Sequence, residues 1–227
     1  KNLNLIATVG AEKREYVSLD DIPKNITDAV LSTEDTRFYS HLGIDPIRLI
    51  KAVLVNIRSN SAQQGASTIT QQVVKNSLLT SDKSLQRKIQ EAYLSLKLEN
   101  KYSKKDILEM YMNKIYYSDG QYGVKTAAKY FYNKELDQLT LPQVALLTGM
   151  PQQPILYNPY DYPEQAKERR DTVLYALLSN GKISEDEYNN AVNTPITEGI
   201  VSKTKEERAN QHTYNPKFAA YIDQITK

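Results

Sequence analysis

The chain is 227 residues long, enough for one large domain, and its 40% hydrophobic and 25% charged residues are ordinary for a globular protein. With 29 basic against 27 acidic residues the net charge is +2, which gives no general case for nucleic-acid binding and confines any anion site to a local cluster. No cysteine and two histidines exclude a disulfide framework, thiolate catalysis and a multi-histidine metal site. No apolar run approaches the ~20 residues that span a bilayer. The chain opens on Lys1 rather than Met, so a signal or anchor upstream is expected.

Leu3, Leu5 and Ala7 alternate, followed by Val9-Gly10 and Tyr16-Val17, which predicts a short extended arm or hairpin over residues 1–19. Asp20-Asp21 and Pro23 then open an amphipathic helix whose Ile22, Ile26, Ala29, Val30 and Thr33 form the core-directed face. At its end stand two adjacent carboxylates, Glu34 and Asp35. Glu34 falls at the edge of the apolar stripe, where the pair reads either as an N-cap or solvated edge or, half hidden, as an acid set to serve as a general base. A second helix is expected over 44–60, capped by Asp45 with Pro46 at its first position and burying Ile47, Ile50, Val53 or Leu54, and Ile57. The polar stretch 59–65 reads as a loop beside a site.

Ser67 and Thr68, after Gly65, mark a helix N-terminus, where unpaired N–H groups attract anions. Thr68, Gln72 and Lys75 share its polar face. Over 84–99, Leu85, Ile89, Ala92 and Leu96 form one apolar stripe and Leu94 and Leu98 a second, which predicts a helix buried on two sides. Arg87, Lys88 and Glu91 flank it. They form either a structural Arg87–Glu91 pair or the charged wall of a cleft.

Ser103 with Asp106 starts the next helix, to about Tyr117. Gly120 and Gly123 bracket a turn before a small-residue helix, Val124 to Phe131. Thr140 caps a helix that stops at Gly149, and the proline-rich 151–163 is an ordered, irregular crossover. Glu164 to Asn180 is a long helix ended by Gly181. Ser184 with Glu187 caps another, to about Asn193. Beyond Pro195 the apolar period fades, so 197–215 is expected to be a linker or a tail laid on the surface.

Together these residues resemble the peptidoglycan glycosyltransferase family, the polymerase domain of class A penicillin-binding proteins and of monofunctional transglycosylases. The resemblance spans roughly residues 10 to 195. It is carried by Glu34-Asp35-x-x-Phe38-x-x-His41-x-Gly43-Ile44, Gly65-x-Ser67-Thr68-Ile69-Thr70-Gln71-Gln72-x-x-Lys75-Asn76, Arg87-Lys88-x-x-Glu91, Glu109-x-Tyr111-x-Asn113, and Gly149-x-Pro151-x-x-Pro154 with Arg169-Arg170. The chain departs from the family pattern at Tyr117-Ser118, Asn133 and Gln143. Asn133 replaces a frequent glycine, and asparagine also tolerates positive φ.

The resemblance implies a mainly α, lysozyme-like fold of two lobes, with a domain over 20–196 preceded by the arm. Residues 197–227 would lead to a C-terminal transpeptidase domain absent from this chain. It implies polymerisation of lipid II into β-1,4-linked glycan with inversion and release of undecaprenyl pyrophosphate, the growing chain being the donor. Glu34 matches the base and Glu91 a second functional glutamate. Glu91 either orients Arg87 or Lys88 or holds a divalent cation, Mg or Mn, at the pyrophosphate; both readings stay open. Ser67, Thr68, Gln71, Gln72, Lys75, Asn76, Arg87 and Lys88 match substrate-binding positions, and the cations among them suit a departing pyrophosphate. His41, Tyr111, Asn113, Arg169 and Arg170 are expected to be structural.

The implied partners are lipid II, the lipid-linked glycan, the membrane surface, the fused transpeptidase domain and other cell-wall synthesis proteins. The implied place is the extracytoplasmic face of a bacterial membrane. Leu49, Ile50, Val53 and Leu54 with Arg48 and Lys51 form a candidate interfacial patch. Two rivals remain: a lysozyme or lytic transglycosylase that cleaves glycan, which needs no pyrophosphate cradle, and a non-catalytic domain that binds the lipid-linked precursor.

Overall fold

The computed structural model describes residues 15–50, 67–78 and 84–209. Helix α1 (Lys24–Glu34) lies against α6 (Leu141–Gly149) and α7 (Pro163–Ser179), and α8 (Glu185–Val192) covers α7. A second group packs α2 (Ile69–Leu78) against α3 (Leu85–Lys101) and α4 (Lys104–Lys114), with α5 (Val124–Tyr132) joining α4 to α6. The short α9 (Lys205–Ala209) comes last. Among the described residues there is no strand, and one isolated antiparallel bridge joins Tyr116 and Tyr122. The fold is mainly α and lysozyme-like, as expected.

The order of elements follows from burial. Helix α6 buries every residue from Gln143 to Gly149, so it is the central rod on which α1 and α7 pack. Ile26, Ala29 and Val30 of α1 and Val173, Leu174 and Leu177 of α7 complete that core. Helix starts are set by local chemistry. Ser103 with Asp106, Thr140 with Gln143 and Ser184 with Glu187 each form a reciprocal capping box. Gln143, one departure from the family pattern, thus closes a cap. Asn133 adopts the left-handed conformation (φ 51°) at the end of α5, and Gly181 (φ 64°) follows α7.

Two expectations need correction. Ile47 and Ile50, assigned to a buried face, are exposed, Ile50 at 61%, although the helix does begin at Pro46 with Asp45 capping it. Helix α3 is not buried on two sides. It turns Glu91 and Ser95 inward and leaves Ile89, Tyr93 and Leu96 open, Ile89 at 62%. Residues 197–209 lie on the body, the second of the two readings given for 197–215: the Val201 N–H donates to the Phe131 carbonyl at 2.8 Å, and the Tyr160 hydroxyl to the Val201 carbonyl at 2.7 Å. Most of the N-terminal arm, Val53, Leu54 and Ile57, and the loop at 59–65 lie outside the described residues.

Candidate active site

A cleft of about 410 Å³ opens where the C-terminal end of α1 meets α2, α3 and α7. Its walls carry Thr33 and Glu34 from α1, then Gln71, Gln72, Lys75 and Asn76 from α2 with Ser67 just ahead of it. Glu91 comes from α3, Arg169 and Thr172 from α7, Ile115 follows α4, and Arg48 reaches in from the turn after Asp45. Two carboxylates therefore share one polar cavity with Arg48, Lys75 and Arg169.

Glu34 is positioned by the end of its helix. Its apolar neighbours one and two turns back, Val30 and Ile26, are buried, so its side chain leaves the core at the cleft edge. One carboxylate oxygen accepts from Gln72 Nε2 at 2.9 Å and the other from Arg169 Nη2 at 3.1 Å. The Glu34 and Arg169 side chains are 11% and 12% exposed. Arg169 is itself fixed, its Nε donating to the Gly149 carbonyl at 3.1 Å and its guanidinium 5.8 Å from the Tyr157 ring centroid. Burial, then the nearby Glu34 carboxylate, pushes the phenol of Tyr117 up, and burial and Glu34 do the same to Tyr111. Both remain neutral hydroxyls.

Asp35 has a different task. Fully buried, it accepts from His41 Nε2 at 2.9 Å and from the Ile69 N–H at 3.0 Å, so it satisfies the first turn of α2 from across the chain. His41 Nδ1 accepts from the Gly43 N–H at 3.1 Å, which fixes its tautomer and its structural place. The Thr68 hydroxyl donates to the Gly43 carbonyl at 2.7 Å. Thr68 and Gln71 also cap α2 reciprocally, the Thr68 N–H donating to Gln71 Oε1 at 3.0 Å and the Gln71 N–H to Thr68 Oγ1 at 3.1 Å. This buried network orients α2, and with it Gln72 and Lys75, toward Glu34.

The second glutamate pairs with Lys88, whose ammonium also donates to Ser67 Oγ at 3.0 Å. That differs from the Arg87–Glu91 pairing weighed above: at i and i+3, Lys88 reaches the buried carboxylate from the solvent side. Arg87 and Thr68 do not line the cleft. Thr68 is fully buried as a cap, and Arg87 keeps Nε and Nη1 buried without a hydrogen-bond partner among the described residues. The other expected site residues, Ser67, Gln71, Gln72, Lys75, Asn76 and Glu91, border the cavity with Glu34, and Lys88 joins through its two contacts.

Arg169 was expected to be structural but stands on Glu34. A signal exists in the sequence: Arg169 and Arg170 both neighbour the buried stripe Ala166, Val173 and Leu177, so each must find acceptors. Arg170 finds the carbonyls of Thr194 and Val192, a structural place. Asn113 is structural too, exchanging hydrogen bonds with the backbone of Val17 at 2.9 and 2.8 Å.

The donor set does not fit a protein cage for a divalent cation. Glu91 already faces an ammonium, and among the described residues no group of three His, Cys, Asp or Glu side chains converges.

A helical domain with a carboxylate facing fixed cations in one cleft defines a class, and comparison with known proteins names it. A family model described as Transglycosylase matches residues 2–178. Penicillin-binding protein 1A/1B of Bacillus subtilis is 47% identical over 229 residues, covering 100% of this chain and 25% of that protein. Penicillin-binding protein 1A of Streptococcus pneumoniae is 49% identical over 201 residues, covering 87% of this chain and 28% of that protein. The crystal structure of penicillin-binding protein 1A from Haemophilus influenzae shares the fold, with a TM-score of 0.53 and 22% identity over 93% of this chain and 21% of that one. The chain belongs to the transglycosylase family, as a class A penicillin-binding protein glycosyltransferase domain of peptidoglycan synthesis. It spans about a quarter to a third of the length of the curated relatives it matches.

Proposed function

We propose that this domain polymerises lipid II, joining the growing lipid-linked glycan as donor to one lipid II as acceptor. Glu34 takes the proton from the acceptor 4-hydroxyl as that oxygen attacks the donor anomeric carbon. The bond to undecaprenyl pyrophosphate breaks in the same displacement, so an α-linked donor gives a β-1,4 bond with inversion. The observation that carries this reading is the cleft itself: Glu34 is held by Gln72 and Arg169 in a cavity it shares with Lys75, Arg48 and the Lys88–Glu91 pair.

The physical division of labour follows. A base must be aimed at a proton, and the two contacts to Glu34 hold its carboxylate in one orientation. A leaving pyrophosphate needs positive charge that is already in place as negative charge grows. Lys75 and Arg48 offer it from the cleft wall, Lys88 beside Ser67, and Arg87 one position earlier on α3. Glu91 positions Lys88 rather than touching the reacting atoms. Ser67, Gln71, Gln72 and Asn76 supply hydrogen-bonding groups for sugar or phosphate oxygens, and Thr68 serves through the cap it forms on α2.

We place the domain at the extracytoplasmic face of a bacterial membrane, joined to an upstream anchor and, after residues 197–227, to a transpeptidase domain. Among the described residues no helix is long and apolar enough to cross a membrane. The exposed Leu42, Ile47, Leu49 and Ile50 beside Arg48 suit contact with lipid. The deciding experiment offers the protein either lipid II or preformed glycan strands. Long polymer from lipid II, with undecaprenyl pyrophosphate released, supports the proposal. Shortening of preformed strands with no polymer from lipid II would replace it with a lytic enzyme.

A further inference from the structure

Residues 115–123 place cleft groups on a strained backbone. Ile115 lines the cavity with Glu34, and Tyr117, two positions on, is fully buried. The turn closes through Tyr117 N–H to the Gln121 carbonyl at 2.9 Å and Gly123 N–H to the Ile115 carbonyl at 2.9 Å. Between them Ser118 and Asp119 have φ of 95° and 45°, and Gly120 has φ of 73°. Two adjacent non-glycine residues at positive φ persist only where their surroundings over-determine them.

Those surroundings come from α5 and from two remote segments. Asn158 Nδ2 donates to Ser118 Oγ at 3.1 Å and to Asp119 Oδ1 at 3.0 Å, and the Tyr130 hydroxyl donates to Asp119 Oδ2 at 3.0 Å. The second segment is α9. From it Arg208 grips Asp161 with both ends of its fork, at 2.7 and 2.6 Å, and reaches Asp119 Oδ2 at 3.4 Å. Its guanidinium sits 4.9 Å from the Tyr160 ring centroid, and its side chain is 8% exposed. A bidentate, aromatic-backed arginine is a rigid bridge rather than a loose surface pair. Arg208 lies outside residues 2–178, the span matched by the family model.

We infer that Arg208 is a positioning residue for the cleft: by tying Asp119 to Asp161 it holds the left-handed turn that seats Ile115 in the cleft wall it shares with Glu34. The bridge makes the packing of residues 196–209 a condition of the cleft wall. Its catalytic consequence rests on the function proposed above; its structural consequence does not.

The test uses the full 227-residue chain and the variants Arg208→Ala, Arg208→Lys and Asp119→Asn. Hydrogen exchange is read on peptides covering 115–123, with α6 as the control for global folding. Arg208→Ala is expected to raise exchange in 115–123 by about tenfold while α6 stays protected. Turnover of lipid II should fall about tenfold with KM within about twofold, because the bound substrate meets a displaced wall. Arg208→Lys keeps the charge without the fork and should lie between; Asp119→Asn carries the same test if Arg208→Ala does not fold. Unchanged exchange in 115–123 would overturn the clamp. Raised exchange with unchanged turnover would overturn the positioning role and leave the proposed function standing. If the parent chain makes no polymer, that function falls, and exchange alone decides on Arg208.

Discussion

Glu34 is held from two sides by partners of different character. Gln72 can rotate away when a hydroxyl arrives, whereas Arg169 is tied to the Gly149 carbonyl and keeps its place. In the proposed reaction Arg169 is therefore the group that aims the carboxylate. A small misplacement of a catalytic group can cost up to ~10²-fold in rate. Arg169→Ala is therefore expected to lower kcat for glycan polymerisation by roughly ten- to a hundredfold, and Arg169→Lys by less. Gly149→Ala should act in the same direction. A Cβ there would stand 2.9 Å from Arg169 Cγ and 3.3 Å from Val173 Cγ2, so Arg169 must shift at the root of its side chain. Steady-state kinetics alongside a thermal melt separates this from unfolding: kcat should drop with little change in Tm. Unchanged kcat in both Arg169 variants would remove Arg169 from the site.

At the scale of elements, the loop from Phe38 to Asp45 decides where α2 points. Gly43 sits at φ 88°, and a Cβ there would meet the Ser95 carbonyl oxygen at 2.8 Å. Gly43→Ala combines the left-handed penalty with a backbone clash, so a loss of at least ~2 kcal/mol, or roughly 4–8 °C in Tm, is expected. A calorimetric scan showing no shift would contradict that packing. Helix boundaries were legible in the sequence wherever the signal was local. The cap pairs Ser103–Asp106, Thr140–Gln143 and Ser184–Glu187 lie three residues apart and set their helix starts. Exposure on α3 was not legible. Ile89, Tyr93 and Leu96 have the spacing of a core stripe, and whether such a stripe is covered depends on which elements pack beside it. The contact of Arg169 with Glu34 was not legible for a related reason: its partner lies 135 positions away, beyond the reach of periodicity. Glu34, Ser67, Gln71, Gln72, Lys75, Asn76 and Glu91 stood out because each sits in a short, spaced motif, whereas Thr33, Ile115 and Thr172 carry no such mark. Thr68 and Arg87 show the limit of such motifs, since the same spacing serves a buried cap as well as a lining group.

On the scale of the whole molecule, titration and surface set the remaining behaviour. The Arg208 hydrogen bonds hold the Asp161 carboxyl below its usual range. Those of Tyr16 and the Leu19 N–H do the same for Glu109. A carboxyl depressed in the folded state binds fewer protons than in the unfolded chain. Its stabilising effect is therefore complete above the ordinary value of about 4 and is lost as the pH falls through the lower folded value. Urea midpoints should fall between pH 6 and pH 3, and Asp161→Asn should flatten that fall. An equal fall in the variant would contradict the assignment. The exposed Leu42, Ile47, Leu49 and Ile50 form the other global feature, Leu42 at 75%. If this surface meets lipid, Leu49→Glu with Ile50→Glu should weaken co-flotation with phospholipid vesicles several-fold and leave the melt unchanged. Undiminished flotation would locate the contact elsewhere.

The central claim concerns one proton. Polymerisation of lipid II by the parent chain and by Glu34→Gln, measured side by side under single-turnover conditions, tests it most directly. The amide keeps the shape and a hydrogen bond to its neighbours but cannot accept the hydroxyl proton. A fall of ~10²–10⁴-fold with the fold intact is the predicted result; a variant that polymerises at the parent rate would contradict it.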